Sequence, residues 1–415
     1  MSNHYNLGIY IHIPFCASKC GYCDFNSCAG AERLMPRYHN ALLKHIRESA
    51  VQLEHYYTDS VYFGGGTPSY YGARRLCDIF DALKRAAVIY TDAEVTVEVN
   101  PDSARRRDLA LLRSEGVNRL SIGAQSANDD ILTLIGRRHS WQQVIRAVKD
   151  ARAAGFDNLS LDLIYGLPSQ SRADWIETLN RALDLGPQHL SCYGLKLEPD
   201  TPMYAAYQGS PLLPDDDEQA DMYLYTCETL GRFGYKQYEI SNFAKTGFRS
   251  RHNLKYWLLR DYMGFGPGAA SCAGGVRYSY IKDLQRYISG VQNDETILAE
   301  YEEIGLLDRA AEYIMLGMRT TRGVSAKEYR SIYRGDFAPI EELMKTFQFK
   351  GWAVKEEERW YFTPAGFLLS NLLIGLMLDK QGELKLSGNP WAGSADQFNH
   401  RQEALPEGDE VFYHS

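Results

Sequence analysis

The chain has 415 residues, 45% of them hydrophobic and 24% charged, and a formal net charge of −8. That much apolar material can build one large domain and at least one smaller one, while the acidic balance argues against a nucleic-acid partner. No run reaches the roughly 18–20 apolar residues needed to cross a bilayer, and the first residues lack a basic start followed by an apolar stretch of signal length, so a cytoplasmic location is expected.

The first predicted element is a strand, LGIYIHIP from Leu7, which runs directly into FCASKCGYC. Five more short runs suit strands: SVYFGGG near residue 60, EVTVEVN near 94, RLSIGAQ near 119, NLSLDLIYG near 158 and HLSCYGLKL near 189. Between them lie helix-like segments with apolar residues at spacings of three and four. They are RYHNALLKHIRESAVQL, ARRLCDIFDALKRA, RRRDLALLRSEG, SWQQVIRAVKDARAAG and RADWIETLNRALDLG. This succession predicts an α/β fold with a parallel sheet, either open and doubly wound or a barrel of repeated β-α units.

The polar residues bear on that choice. In EVTVEVN, alternation sends Val95, Val97 and Val99 to one face and Thr96, Glu98 and Asn100 to the other, where a barrel would have its lumen. Cys16, the turn Gly64-Gly65-Gly66-Thr67, Gln125 and Asp162 also fall near the carboxyl ends of strands, the rim on which β-α barrels assemble their sites. Acidic groups such as Asp215-Asp216-Asp217-Glu218 and Glu356-Glu357-Glu358 read as solvated loops or helix starts.

Farther on, LLDRAAEYIMLGMRTTRG, SAKEYRSIY and PIEELMKTFQFKG read as three helices, followed by a short hairpin and a last helix within WAVKEEERWYFTPAGFLLSNLLIGLML. That pattern predicts a small winged-helix-like domain without a basic stripe. FLLSNLLIGLML is too short to span a membrane and is expected as a core helix, with a peripheral membrane contact left open.

Cys16, Cys20 and Cys23 lie within eight residues. Such a group suits a disulfide fragment, half of a zinc site or an iron–sulfur cluster. A reducing compartment argues against the first, and the absence of a second Cys/His pair in the sequence argues against the second. A [4Fe–4S] cube on three thiolates keeps one iron open to a small molecule. Cys28 is an alternative fourth ligand but reads better as a free thiol, as Cys77, Cys192, Cys227 and Cys272 read as buried ones.

The Cys16-x3-Cys20-x2-Cys23 motif with Phe25 behind it, and GGGTPS at 64–69, resemble the radical S-adenosylmethionine superfamily. The resemblance implies a partial (β/α)6 barrel, a [4Fe–4S] cluster on the three cysteines and S-adenosylmethionine on the fourth iron. It further implies that Tyr10, Gly65, Gly66, Thr67, Glu98, Gln125, Arg137 and Asp162 line the S-adenosylmethionine pocket. The glycines would let backbone and its amides approach the methionine part of that cofactor, Glu98 and Asp162 suit an ammonium or hydroxyls, and Arg137 suits a carboxylate.

IYIHIPFC, EVNPD, RLSIGAQS, LDLIYGLP and HNLKYW are similar to the HemW proteins and to their relative, oxygen-independent coproporphyrinogen III oxidase. The oxidase type has a further cysteine two residues after the third, where this chain has Phe25. HemW proteins lack it and contain HNxxYW, matched by His252, Asn253, Tyr256 and Trp257. The resemblance therefore implies a haem chaperone, with haem, an apo-haemoprotein acceptor and an electron donor as partners and His252 as a haem ligand. Porphyrinogen decarboxylation is the alternative, and whether the chain is an enzyme stays open. The expected division is 1–240 barrel, 241–299 connecting segment with HNxxYW, 300–380 winged-helix-like domain and 381–415 disordered tail.

Replacing Cys16, Cys20 or Cys23 with Ala should abolish a reconstituted [4Fe–4S] absorbance, whereas Cys28→Ala should keep it. Loss of the cluster in Cys28→Ala would refute the open-iron reading.

Overall fold

The computed structural model describes residues 5–386. Six parallel strands form its centre: β1 (Tyr5–Ile13), β2 (Tyr56–Gly65), β3 (Val88–Val99), β4 (Arg119–Gln125), β5 (Asn158–Tyr165) and β6 (His189–Gly194). They pair in sequence order, and Tyr262–Phe265 adds a parallel neighbour outside β1. Antiparallel strands extend both ends, ending in Leu298–Glu303 beyond β1 and in Lys236–Gln237 beyond β6. These end strands do not pair with each other, so the sheet is a partial barrel.

Two-residue alternation gives each central strand one apolar and one polar face. Leu7, Ile9 and Ile11, Val61 and Phe63, Val95 and Val97, Leu120 and Ile122, and Leu159 and Leu161 are buried against the surrounding helices. The opposite face carries buried Ser60, Thr96, Arg119, Ser121, Ser160, His189 and Ser191. The barrel interior is thus polar.

The helices lie where their apolar spacing puts them. Ala73–Ala86 coincides with its predicted segment, Trp141–Ala153 starts at a Ser140 capping box and Arg172–Asp184 at a Ser171 capping box. The first segment is shorter than expected: helix Met35–Glu48 stops at Ser49, and a separate turn covers Ala50–Leu53. Asp215 caps helix Asp216–Arg232, so this acidic group is a helix start.

Residues 241–299 do not simply connect. They supply Asn242–Ala244 beside β6, helix Arg251–Trp257, and three of the strands that widen the sheet on the β1 side, together with the start of the fourth, Leu298–Glu303. Beyond them, helices Leu306–Gly317, Ala326–Tyr333 and Ala338–Phe349 pack with the three strands Val324–Ser325, Ala353–Glu356 and Arg359–Phe362 around Ile314, Tyr329, Ile340 and Trp360. This is the winged-helix arrangement. Ser370–Leu386 buries Leu373, Ile374 and Met377 in the same core, as expected for FLLSNLLIGLML. This helix passes the boundary expected at 381, and residues 387–415 of the expected tail lie outside the described residues. No helix among the described residues is long and apolar enough to cross a membrane.

Trp175 is fully buried between barrel and helix layer, and its indole N–H donates to Thr226 Oγ1 at 2.9 Å. Trp175→Ala should lower stability by about 3–5 kcal/mol, seen as a lower urea midpoint. Phe349→Ala, at a residue 88% exposed, should change it by no more than about 0.5 kcal/mol.

Candidate functional site

The cysteine loop leaves the carboxyl end of β1 and is pinned at its base, where Phe15–Cys16 pairs with Cys28–Ala29. Gly21 holds it from two sides, donating its N–H to the Ile135 carbonyl (3.2 Å) and accepting from the Met203 N–H (2.9 Å). Cys16, Cys20 and Cys23 are half-buried and form no disulfide. Two donors address their sulfurs: Thr67 Oγ1 lies 3.5 Å from Cys16 Sγ, and Arg137 Nη1 lies 3.7 Å from Cys20 Sγ. Cys28 is turned away, its thiol donating to the Pro14 carbonyl at 3.3 Å, and burial pushes that thiol up.

The glycine turn fits closely over the end of β1. A side chain on Gly66 would put its Cβ 2.8 Å from the Ile13 and Phe15 carbonyls, and Gly65 has φ +111° with the His12 ring where a Cβ would stand. The expectation that these amides are free for a ligand needs correction. Gly65 N–H donates to Glu98 Oε2 (3.2 Å), Gly66 N–H to the Ile13 carbonyl (2.7 Å) and Thr67 N–H to the Phe15 carbonyl (2.8 Å). The turn thus holds the Glu98 carboxylate through one amide and ties Thr67 to the start of the cysteine loop through another.

Beside the loop opens a cavity of about 520 Å³, lined by Tyr10, His12, Gly65 and Glu98 within and by Lys19 and Lys282 among others at its mouth. Residues expected together are thus divided among four neighbouring places. Tyr10, Gly65 and Glu98 line the cavity; Gly66 and Thr67 brace the loop; Asp162 lies inside the barrel, where it accepts from Ser121 Oγ at 3.0 and 3.1 Å and from Ser160 Oγ at 3.2 Å. Gln125, at φ +64° after a bulge in β4, lies against Gly123 together with Arg137. Arg137 donates to Asn100 Oδ1 (2.6 Å) and to the Gly123 carbonyl (2.7 Å), so it bridges β3, β4 and the cysteine loop.

Sequence reasoning missed His12, Lys282 and Arg119, and placed Asn100 on the inward face without giving it a role. His12 was detectable, since it follows Tyr10 by two residues on the same strand face. Tyr10 donates to His12 Nδ1 (3.1 Å), and His12 Nε2–H donates to the Asn26 carbonyl (2.7 Å). Lys282 reaches the cavity only through tertiary folding.

His252 differs most from expectation. It is 1% exposed, its Nδ1 is 3.0 Å from Ser60 Oγ and its Nε2 is 2.8 Å from the Tyr256 hydroxyl. Both ring nitrogens are engaged inside the barrel, leaving neither available to haem iron in this arrangement. Burial, then nearby Lys255 and Arg119, lowers its pKa to about 3, so the ring is neutral.

Residues 10–182 match the Radical SAM superfamily and residues 304–369 match the HemN C-terminal domain. Heme chaperone HemW of Bacillus subtilis (strain 168) is 36% identical over 378 residues, covering 90% of this chain and 99% of that protein. The chain belongs to the HemW family. HemW of Escherichia coli (strain K12) is 32% identical over 381 residues, covering 90% of this chain and 98% of that one. The fold is also that of coproporphyrinogen III oxidase (HemN) from Escherichia coli, with a TM-score of 0.79 over 90% of both chains; at 24% identity this is a likeness of fold.

Radical SAM membership implies a [4Fe–4S] cluster and S-adenosylmethionine. The donor set of this HemW-family chain fits the cluster: three unbridged thiols on one pinned loop, with a hydroxyl and a guanidinium directed at two of the sulfurs. No group of three or more His, Cys, Asp or Glu among the described residues could hold a single metal ion; the thiolates of a cube bind different irons and need no such common point.

Burial raises Glu98 from 4.5 to about 7, with Asp162 adding to the rise and the Tyr62 hydroxyl (3.0 Å) and Gly65 N–H opposing it. A carboxyl raised in this way holds its proton more tightly in the folded chain than in the unfolded one. Its contribution is therefore fully present below about 4.5 and is lost as pH rises to about 7. Without added S-adenosylmethionine, the stability of Glu98→Gln relative to the parent chain should improve over that interval and stay constant above it. Parallel pH profiles in urea denaturation would contradict this assignment.

Proposed function

We propose that this chain is a radical S-adenosylmethionine haem chaperone, which binds haem and delivers it to an apo-haemoprotein. The observation that carries the reading is the likeness to HemW proteins along 90% of the chain. Phe25, standing where the oxidase type has its further cysteine, supports it.

In this reading Cys16, Cys20 and Cys23 hold the cluster, which when bound supplies an iron with an open coordination position and one-electron chemistry. Thr67 and Arg137 direct a hydroxyl and a guanidinium at the Cys16 and Cys20 sulfurs and would orient them toward the cluster. Tyr10, Gly65 and Glu98 form the wall on which S-adenosylmethionine rests, with Glu98 taking its ammonium group. Its elevated pKa means that a cation beside it also draws it into the ionised form, coupling the two charges. Gly66 keeps the turn close to β1, while Gln125 and Asp162 complete the polar surroundings from β4 and β5. An electron donor approaches the cluster from outside, and delivery takes place in the cytoplasm, with any membrane contact peripheral.

After anaerobic reconstitution, the protein should develop a Soret band with haem, pass haem to an apo-acceptor and release no carbon dioxide from coproporphyrinogen III. Glu98→Ala and Asp162→Ala should each weaken S-adenosylmethionine binding by about 1–3 kcal/mol with the cluster intact. Decarboxylation by the parent chain, or failure to bind haem, would reject the chaperone reading.

A further inference from the structure

The HNLKYW stretch forms helix Arg251–Trp257, which enters the barrel at the end remote from the cysteines. Its contacts fall early on the parallel strands. Glu94 accepts the backbone N–H groups of Arg251 and His252, both at 3.0 Å, and Lys255 pairs with Asp59 at 2.7 Å. Gly8 is where the Lys255 stem passes, since a Cβ there would stand 2.5 Å from Lys255 Cδ. The cysteine loop and glycine turn follow the opposite ends of β1 and β2.

Between the two ends lies a short stack. Ser60 and Tyr256 grip the two nitrogens of His252, and the Tyr62 ring lies over the imidazole with centroids 5.3 Å apart and planes 28° from parallel. Tyr10 flanks the same ring at 6.4 Å. The Tyr62 hydroxyl then donates to Glu98 Oε1 at 3.0 Å. Tyr256 is in turn fixed edge-on by Tyr262, at 4.6 Å and 85°.

We propose that His252 is a positioning residue for the S-adenosylmethionine pocket: its clamped imidazole is the plate on which Tyr62 lies, and Tyr62 sets the place of Glu98. The inference rests on the proposed role of Glu98 and extends it to the HNLKYW motif. A histidine suits this position for three reasons. Its flat face supports an aromatic ring, its two nitrogens satisfy two buried hydroxyls, and it is neutral beside Arg119 and Lys255, so no further cation is buried there. An alanine would remove both the plate and two hydrogen-bond partners. A phenylalanine would keep the plate.

The test uses the full chain with its cluster reconstituted anaerobically, and measures S-adenosylmethionine affinity by equilibrium dialysis and haem by its Soret band. His252→Ala should weaken S-adenosylmethionine binding on the order of tenfold, the effect of losing one good hydrogen bond to a charged group. His252→Phe should restore most of that affinity. Tyr62→Phe, which keeps the ring but not the hydroxyl, should weaken binding similarly, and adding His252→Ala to it should cost little more, because both act through one path. The haem spectrum should be the same in His252→Phe as in the parent. Normal affinity in His252→Ala alongside weakened binding in Glu98→Gln would overturn this inference alone. Unchanged affinity in Glu98→Gln would overturn the pocket reading and this inference with it. A Soret band lost in both His252 variants with S-adenosylmethionine affinity intact would return the residue to the iron.

Discussion

The six parallel strands must satisfy two opposed environments at once, and the rest of the structure follows from that constraint. Successive side chains point to opposite faces, so a strand packed against helices on one side and enclosing a lumen on the other alternates apolar with polar residues. Leu120 and Ile122 are buried against helices while Arg119 and Ser121, their neighbours on β4, are buried inside. A polar interior is costly unless its groups pair with one another. Much of this lumen meets that demand: Ser160 bonds His189, whose other nitrogen is 2.7 Å from the Tyr238 hydroxyl, and Ser121 bonds Asp162. The buried Arg119 has Glu94 and Asp162 as counter-charges.

The same alternation explains why chemistry gathers at one end. Parallel strands bring all their carboxyl ends to one rim, so the loop after β1, the turn after β2 and the bulged end of β4 become neighbours without any of them being near in sequence. Close approach then does the local work. Gly66 admits the backbone of β1, Gly123 admits the Gln125 amide and the Arg137 guanidinium, and Arg137 ties that rim to Cys20. The loop that carries the thiols is thus held by backbone bonds from elements more than 100 residues away.

At the other end, the interior is closed by a helix rather than by more side chains from the strands. The open sheet leaves room for Arg251–Trp257 to enter, and Glu94 secures its first turn. The C-terminal domain is attached nearby through main-chain bonds, Ile240 N–H to the Arg319 carbonyl at 2.9 Å and Thr321 N–H to the Tyr238 carbonyl at 3.1 Å. Tyr238 also bonds His189 in the lumen, so the domain seam and the barrel interior share a residue.

The sequence by itself determined what depends on local spacing. Period-two alternation identified the six strands and the inward face of Thr96 and Glu98, period 3.6 found the helices, and the cysteine spacing pointed to cluster chemistry. It also marked HNLKYW as a unit with a purpose. Tertiary structure decided what depends on contacts between distant segments. Only the packing of Arg251–Trp257 against β2 brings Ser60 to His252 Nδ1, whereas the Nε2 partner, Tyr256, stands one helical turn on within the same hexapeptide. Only the fold turns the Gly65 amide to Glu98 and brings Lys282 to the mouth of the cavity. Residue type states which bonds a side chain is able to make; burial and the partners brought by remote strands decide which of them it does make.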